Sequence, residues 1–513
     1  MGKINFYSIE DLKKDINKVL DVLDKNRPKD WDTFKIEMFF NSLKSDIIIA
    51  VEENYVDYIY RDAFYNFYAT KFKEYSRFCL KLSLFKSTIV TQGIVDLNTG
   101  IVDFSKKDLL LESYLGFLIL RPFPAIIGRN IIAVEAKTND KIKIIQTLIK
   151  SSSIGLKMEV SGFPHSSQDG QVMTCAETTV WCIMEYFGYR YPIHKIVLPS
   201  HIKDVLRNTT YERQWPSTGL YFHQISNGLR GFGMAPKTYG LANYDRWGNY
   251  SGMKPDIKET LIGCIESGLP LALSITSSEG GHAVCAIGHE DYYLIPKVEI
   301  YQTDDKGNVV YDGSGLPKKS LYSYNRSIDK IVVNDDNMPP YQEFDINKPC
   351  FYYTEPPFDK DEWNNAFINI FVVPLPERVH MFPDVAIKFS QEILMNIAED
   401  KSIYRTFLAS SRSYKNHLMS SRALSNANKN KLLEIEFPRF IWVTEFELED
   451  DYKQGEATGL LILDATEFSK SRTAVVVYID KFRNFAYNNS NNQWELLNLP
   501  DEFRVNFYDK NLY

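Results

Sequence analysis

The chain has 513 residues, 44% of them hydrophobic and 24% charged, with a formal net charge of −7. That length exceeds one ordinary domain, the composition is that of a soluble globular protein rather than a disordered one, and the acidic balance argues against a nucleic-acid binder, whose footprint is a basic domain. Residues 1–14 show no apolar export core, and the most apolar stretch, 114–134, is interrupted by Arg121, Pro122, Pro124 and Arg129, so no membrane span is expected.

In chain order, 8–24 and 29–45 read as helices, the second opening near Asp30 to Asp32, and 46–51 reads as a strand. Tyr60, Phe64, Phe67, Tyr68, Phe72, Tyr75 and Phe78 fall mostly at helical spacing and predict a helical stretch over 60–84. Strands are expected at 87–95, 115–121 and 130–135. The small, polar run 151–155 marks a boundary, and Pro356 and Pro357 mark another break. Beyond it the pattern predicts a strand at 367–374, helices at 383–399 and 401–420, and strands at 440–443, 459–463 and 473–478. The stretch 401–431 is locally basic through Lys401, Arg405, Arg412, Lys415, Arg422, Lys429 and Lys431; it reads as a solvated helical face or as a site for an acidic partner.

Six cysteines (Cys79, Cys175, Cys182, Cys264, Cys285 and Cys350) are scattered without any Cys-x-x-Cys pair. This fits a reduced, cytoplasmic setting better than a disulfide scaffold. Cys175 opens an expected helix whose apolar stripe is Ala176, Val180, Ile183, Met184 and Phe187, with Gly188 at the expected C-terminal cap. In the first turn of a helix the free N–H groups and the dipole stabilise a thiolate. Cys182, mid-helix, reads as an ordinary buried cysteine.

His282 follows Gly280 and Gly281 and leads into Ala283, Val284, Cys285, Ala286 and Ile287, the pattern of a buried strand with the histidine at its mouth. His289, at the far end of the same run, reads as structural. A third strand, 329–334, ends in Asn334, Asp335 and Asp336, any of which is able by position to orient an imidazole. Phosphate-loop, dinucleotide, zinc-peptidase and serine-elbow motifs are lacking. Cys175 and Cys182 lie too far apart along a helix to share one tetrahedral zinc easily with His282.

Gln168 and Asp169 before Cys175, then Gly268 to Pro270 leading a strand, then Gly281-His282-Ala283-Val284, then Val333-Asn334-Asp335, together resemble the papain-like cysteine peptidases in their C39-like variety. The resemblance covers about 180 residues, ~164 to ~345. It implies an α+β fold with a papain-like core over 156–350, a Cys-bearing helix packed on an antiparallel sheet. That core is flanked by α/β accessory regions, the N-terminal one at 1–155 and a β-rich C-terminal one at 351–513. It further implies Cys175 as nucleophile, His282 as general base and acid, Asp335 as orienter, and Gln168, with the backbone N–H of Cys175, as oxyanion donor. The substrate would be a protein or peptide, and no cofactor or metal is implied.

The chain departs from the family pattern at three places. Asp336 stands where the family has proline. Gln168 lies seven positions before the cysteine, one more than in papain, with Gln171 as a rival, and a hairpin around 304–308 lengthens the stretch after His282. A non-proteolytic acyltransferase or amidase of the same fold, and an inactive papain-like binding scaffold, are the alternative readings.

Overall fold

The computed structural model describes residues 4–23, 33–210, 213–240, 252–278, 280–290, 295–304, 306–488 and 491–512. Among them the chain is mixed α+β, with thirteen α-helices and several largely antiparallel sheets. No described helix is long and apolar enough to cross a membrane.

The first sheet runs in sequence order through β1 (Ile4–Ser8), β2 (Ile48–Tyr55), β3 (Cys79–Phe85), β4 (Tyr114–Leu120) and β5 (Ile127–Ile132). Alternation with period two lets it bury both faces. Ile49, Val51, Leu80, Leu82 and Leu84 pack under Leu12 and Ile16 of α1 (Ile9–Leu20) and Phe39 and Phe40 of α2 (Thr33–Asn41). Ala50, Cys79, Phe117 and Ile131 face the remainder of the molecule. Three shorter helices complete this part: α3 (Tyr58–Asn66), α4 (Thr88–Thr91) and α5 (Lys107–Glu112).

Two expectations here need correction, and one lies outside the described residues. The helix expected over 60–84 stops at Asn66, because β3 alternates leucines toward the helices with Lys81 and Ser83 toward the opposite face. There Lys81 Nζ donates to Ser151 Oγ and to the Ser152 carbonyl, both at 2.6 Å. The strand expected at 87–95 is instead the helical turn α4, closed by Gly93 at φ 61°. The opening of the second helix near Asp30 falls outside the described residues.

The central sheet has the order β15–β14–β11–β10–β16–β9, from β9 (Met234–Gly240), β10 (Leu271–Thr276), β11 (Gly281–Glu290), β14 (Lys330–Asn334), β15 (Gln342–Asp345) and β16 (Phe367–Pro376). A short β6 (Ile142–Ile144) pairs with the end of β11 so closely that a Cβ on Gly288 would lie 2.1 Å from the Lys143 carbonyl oxygen. The helix that begins at the cysteine, α6 (Cys175–Arg190), packs on β11 and β10. It continues through Gly188, correcting the expected cap there: the chain at Ile196 passes 3.1 Å from where that residue's Cβ would sit, so glycine serves a close approach. Helices α7 (Pro199–Leu206), α8 (Phe222–Gly231) and α9 (Pro255–Glu266) complete this layer. Residues 151–155 lie in a hairpin of β7 (Thr147–Ser153) and β8 (Leu156–Gly162), turned at Ile154 and Gly155, both with positive φ.

The third sheet has the order β12–β13–β17–β18–β20–β21–β22–β23. It begins with β12 (Glu299–Tyr301) and β13 (Ser320–Ser323), the latter parallel to β17 (Ile403–Ser410). It continues with β18 (Phe440–Glu447), β20 (Gly459–Asp464), β21 (Val475–Ile479), β22 (Asn484–Asn488) and β23 (Gln493–Leu496), while β19 (Glu456–Ala457) pairs with β24 (Val505–Asn506). Around them lie α10 (Pro383–Ile397), α11 (Ser411–Ser420), α12 (Asn426–Glu434) and α13 (Glu449–Lys453). The single helix expected over 401–420 is thus a strand followed by a helix. Arg405 leaves the basic face altogether: its guanidinium is held by Glu266 at 3.2 Å and Glu445 at 2.9 Å. One core cluster runs from Phe6 to Leu512 through all these layers.

Candidate active site

The start of α6 is fixed from both sides. Thr174 is extended (φ −94°, ψ −175°), and the Glu177 carboxylate accepts its backbone N–H at 3.2 Å and its hydroxyl, the reciprocal half of a capping box. The Ser217 hydroxyl donates to the other Glu177 oxygen. Upstream, Asp169 Oδ1 accepts the N–H groups of Gln171, Val172 and Met173 at 2.9, 2.7 and 2.9 Å, closing the approach into a turn. Cys175, half-buried, is thereby placed in the first helical turn, where unpaired N–H groups favour an anion. Cys182 lies two turns deeper, and burial pushes its thiol well up.

His282 is the second residue of β11, opposite Ile275 of β10. Its Nε2 donates to Asp335 Oδ1 at 2.9 Å, and the Cys175 thiol is near enough to the same ring to act on its proton affinity. Only 8% of the residue is exposed, with the edges of Tyr353 and Trp363 at ring-centroid distances of 6.2 and 6.0 Å. Burial disfavours the charged imidazole. The charge and hydrogen bond of Asp335, the neighbouring Cys175 and the charge of Asp336 outweigh it, so His282 holds its proton well above the usual histidine range.

Asp335 follows β14 directly and is fully buried. Besides His282, its Oδ1 accepts the Asn337 N–H at 2.9 Å, and its Oδ2 accepts the hydroxyls of Tyr352 at 2.7 Å and Tyr353 at 2.8 Å. Burial works against the carboxylate, yet the imidazolium charge and these donors hold its carboxyl well below the ordinary carboxylate range. Asp336 Oδ1 lies 3.8 Å from the same Nε2. The Nε2 of His282 and one oxygen each of Asp335 and Asp336 lie within 4.8 Å of one another, close enough to face a single cation. The Nε2 proton already bridges to Asp335, and we read the three as an acid–base group rather than as metal ligands.

Of the three orienter candidates, Asn334 is committed elsewhere: its Nδ2 donates to the Pro164 carbonyl at 3.0 Å and its Oδ1 accepts the Tyr341 N–H at 3.1 Å. Gln168 joins the same turn, its Nε2 donating to Asn337 Oδ1 at 2.9 Å. The rival Gln171 accepts the Ser217 N–H at its backbone carbonyl, at 2.6 Å. His289 has both ring nitrogens occupied, Nε2 by Glu266 and Nδ1 by the Glu290 carbonyl, each at 2.6 Å.

Several residues here carry no signal in the sequence. Tyr352, Tyr353 and Trp363 lie past position 350, and only their aromatic character distinguishes them. His165 is buried between Asn130 of β5, whose Nδ2 donates to its Nδ1 at 2.9 Å, and the Asp335 carbonyl, which accepts from its Nε2 at 3.1 Å; burial lowers its pKa to about 4. Lys137, which burial brings down to about 7, donates to the Pro340 carbonyl at 2.9 Å and to Ser42 Oγ at 2.8 Å. No protein-family model matches the sequence, and no curated protein matches it at a significant level.

Proposed function

We propose that this chain is a cysteine-type hydrolase of papain-like arrangement, acting on a peptide or isopeptide bond of a protein or peptide in a reduced, cytoplasmic setting. The observation that carries this reading is the convergence of Cys175, His282 and Asp335, in which His282 is hydrogen-bonded to Asp335 and Cys175 acts on the same ring; a helix start, a strand start and a turn each contribute one member. The packing of α6 on the sheet that holds β11 and β14 supports the papain-like arrangement.

With Nε2 given to Asp335, Nδ1 is the nitrogen left to take the proton of Cys175. The thiolate sulfur attacks the carbonyl carbon and the carbonyl π-electrons move to oxygen. That oxyanion faces the backbone N–H of Cys175 and the Gln168 amide, whose NH2 has a second hydrogen beyond the one given to Asn337. The imidazolium then protonates the leaving amine as the C–N bond breaks. Water, deprotonated by the neutral imidazole, releases the acyl group and restores the thiol. Asp335 stays ionised throughout and balances the imidazolium charge.

A thiol-directed electrophile such as a peptidyl chloromethyl ketone, followed by peptide mapping, is expected to label Cys175 ahead of the five other cysteines. Labelling is expected to fall at least tenfold in His282→Ala. Equal labelling in both proteins would remove the pair.

A further inference from the structure

Asp336 is the one acid at this site without a task in the scheme above. It is 4% exposed, and among the described residues its buried carboxylate oxygens have no hydrogen-bond partner on another residue, whereas the neighbouring Asp335 accepts from His282, Asn337, Tyr352 and Tyr353. A buried, unpaired carboxylate costs stability that an amide or an apolar residue of similar shape avoids. What the carboxylate does have is a position: 3.8 Å from His282 Nε2 is too long for a hydrogen bond but well within reach of a Coulomb interaction in a water-poor enclosure.

The charged and titratable groups that face Asp336 come from four elements. His282 comes from β11, Asp335 from the same turn, Lys35 from α2 and the Cys182 thiol from α6. Two are cations, and of these only His282 belongs to the proposed chemistry.

We propose that Asp336 is a charge partner of His282, a positioning residue whose carboxylate helps the imidazole keep its proton and so widens the pH range over which Cys175 stands as the thiolate of an ion pair. This rests on the Cys175–His282 pair of the proposed function. Burial, together with the charge of Asp335, pushes the Asp336 carboxyl up to about 7 against the pull of His282 and Lys35. The second negative charge therefore arrives as the pH rises past neutrality, where an unsupported imidazolium would lose its proton.

The test is the pH dependence of Cys175 alkylation by iodoacetamide in the full chain, in which the thiolate displaces iodide and each rate is read by peptide mapping. A thiolate–imidazolium pair gives an acid-range plateau and a second rise at higher pH, where the imidazolium deprotonates. In Asp336→Asn that second rise is expected about one pH unit lower, as for loss of an opposite charge within ~4–6 Å. Asp336→Ser is a second neutral variant read the same way, and Asp336→Glu, which keeps the charge, is expected to restore most of the wild-type profile. Neutral variants whose profiles superimpose on wild type overturn the assignment of Asp336 while leaving the pair intact. A wild-type profile with a single rise near ~8.5, that of a free thiol, overturns the pair itself and the inference with it.

Discussion

The same carboxyl should be visible in stability with no substrate or probe present. An unfolded aspartate has a pKa of about 3.9, and the folded chain holds Asp336 up to about 7. An acid whose folded value is raised binds its proton more tightly in the folded state, so stability falls as the pH climbs from the unfolded value to the folded one. The slope is about 1.36 kcal/mol per pH unit for one proton. Between pH 5 and pH 6.5 this amounts to about 2 kcal/mol. In that window His282 contributes little slope, because its raised value keeps it protonated when folded and a free histidine is still mainly protonated up to about 6.5. Among the described residues Asp336→Asn removes the titrating proton and breaks no hydrogen bond to another residue. Urea unfolding followed by tryptophan fluorescence at the two pH values, in wild type and Asp336→Asn, should therefore show wild type losing about 2 kcal/mol more than the variant. Parallel losses in the two proteins would refute the account of Asp336 as a buried acid that ionises only near neutrality.

Two further outcomes follow from charged groups buried with their partners. Tyr352→Phe and Tyr353→Phe each take one hydroxyl from Asp335 Oδ2, and a hydrogen bond to a charged group is worth about 1.5–3 kcal/mol. Asp335 is a depressed acid, so its stabilisation is present above the unfolded value of about 3.9 and is lost as the pH falls through the folded one. Losing a hydroxyl raises the folded value, and the acid-unfolding midpoint followed by circular dichroism should move to higher pH in each variant; an unmoved midpoint would count against the hydroxyls as its supports. Arg405→Met takes the cation from buried Glu445 and leaves buried Glu266 with His289, and should cost about 3–5 kcal/mol in urea unfolding, whereas a loss below 1 kcal/mol would show that the pairing is not what holds β17 to α9 and β18.

The two ends of the candidate site are legible in the sequence because each is written locally. Thr174 and Glu177 form a capping box within four residues, and the five apolar residues 283–287 that follow Gly281 and His282 specify the strand that carries His282. The choice among Asn334, Asp335 and Asp336 is not local. All three side chains are short and polar, and what separates them is that Pro164 and Tyr341 occupy Asn334 while His282 and two tyrosines meet Asp335. In β3 the helical spacing of the aromatics before it masks a period-two pattern, Leu80, Leu82 and Leu84 against Lys81 and Ser83, whose polar members hydrogen-bond to a hairpin some 70 residues away. In β17, Arg405 makes a buried strand look like part of a charged helix, because its partners Glu266 and Glu445 lie on other elements. In both of these strands a distant partner decides the outcome.

The placement of Asp335 depends on residues far from the proposed core. Its backbone carbonyl is held by His165, which is held in turn by Asn130 of β5; burial lowers the His165 pKa to about 4, so the ring is neutral at physiological pH and keeps the tautomer that both bonds require. Further along the turn, Lys137 grips the Pro340 carbonyl, and the Tyr341 hydroxyl donates to the Ile132 carbonyl at 2.6 Å and accepts the Phe163 N–H at 3.0 Å. Tyr341 itself sits at φ 66°, a left-handed conformation unfavourable for a non-glycine residue, and these bonds are what hold it there. The acid of the site is thus set against the last strand of the N-terminal sheet rather than carried by the central sheet alone. Reactivity in an oriented acid–base pair falls steeply with displacements of about 1 Å. Asn130, Ile132 and Lys137 form the wall against which the Asp335 turn is positioned, and the geometry between Asp335 and His282 rests on both sheets.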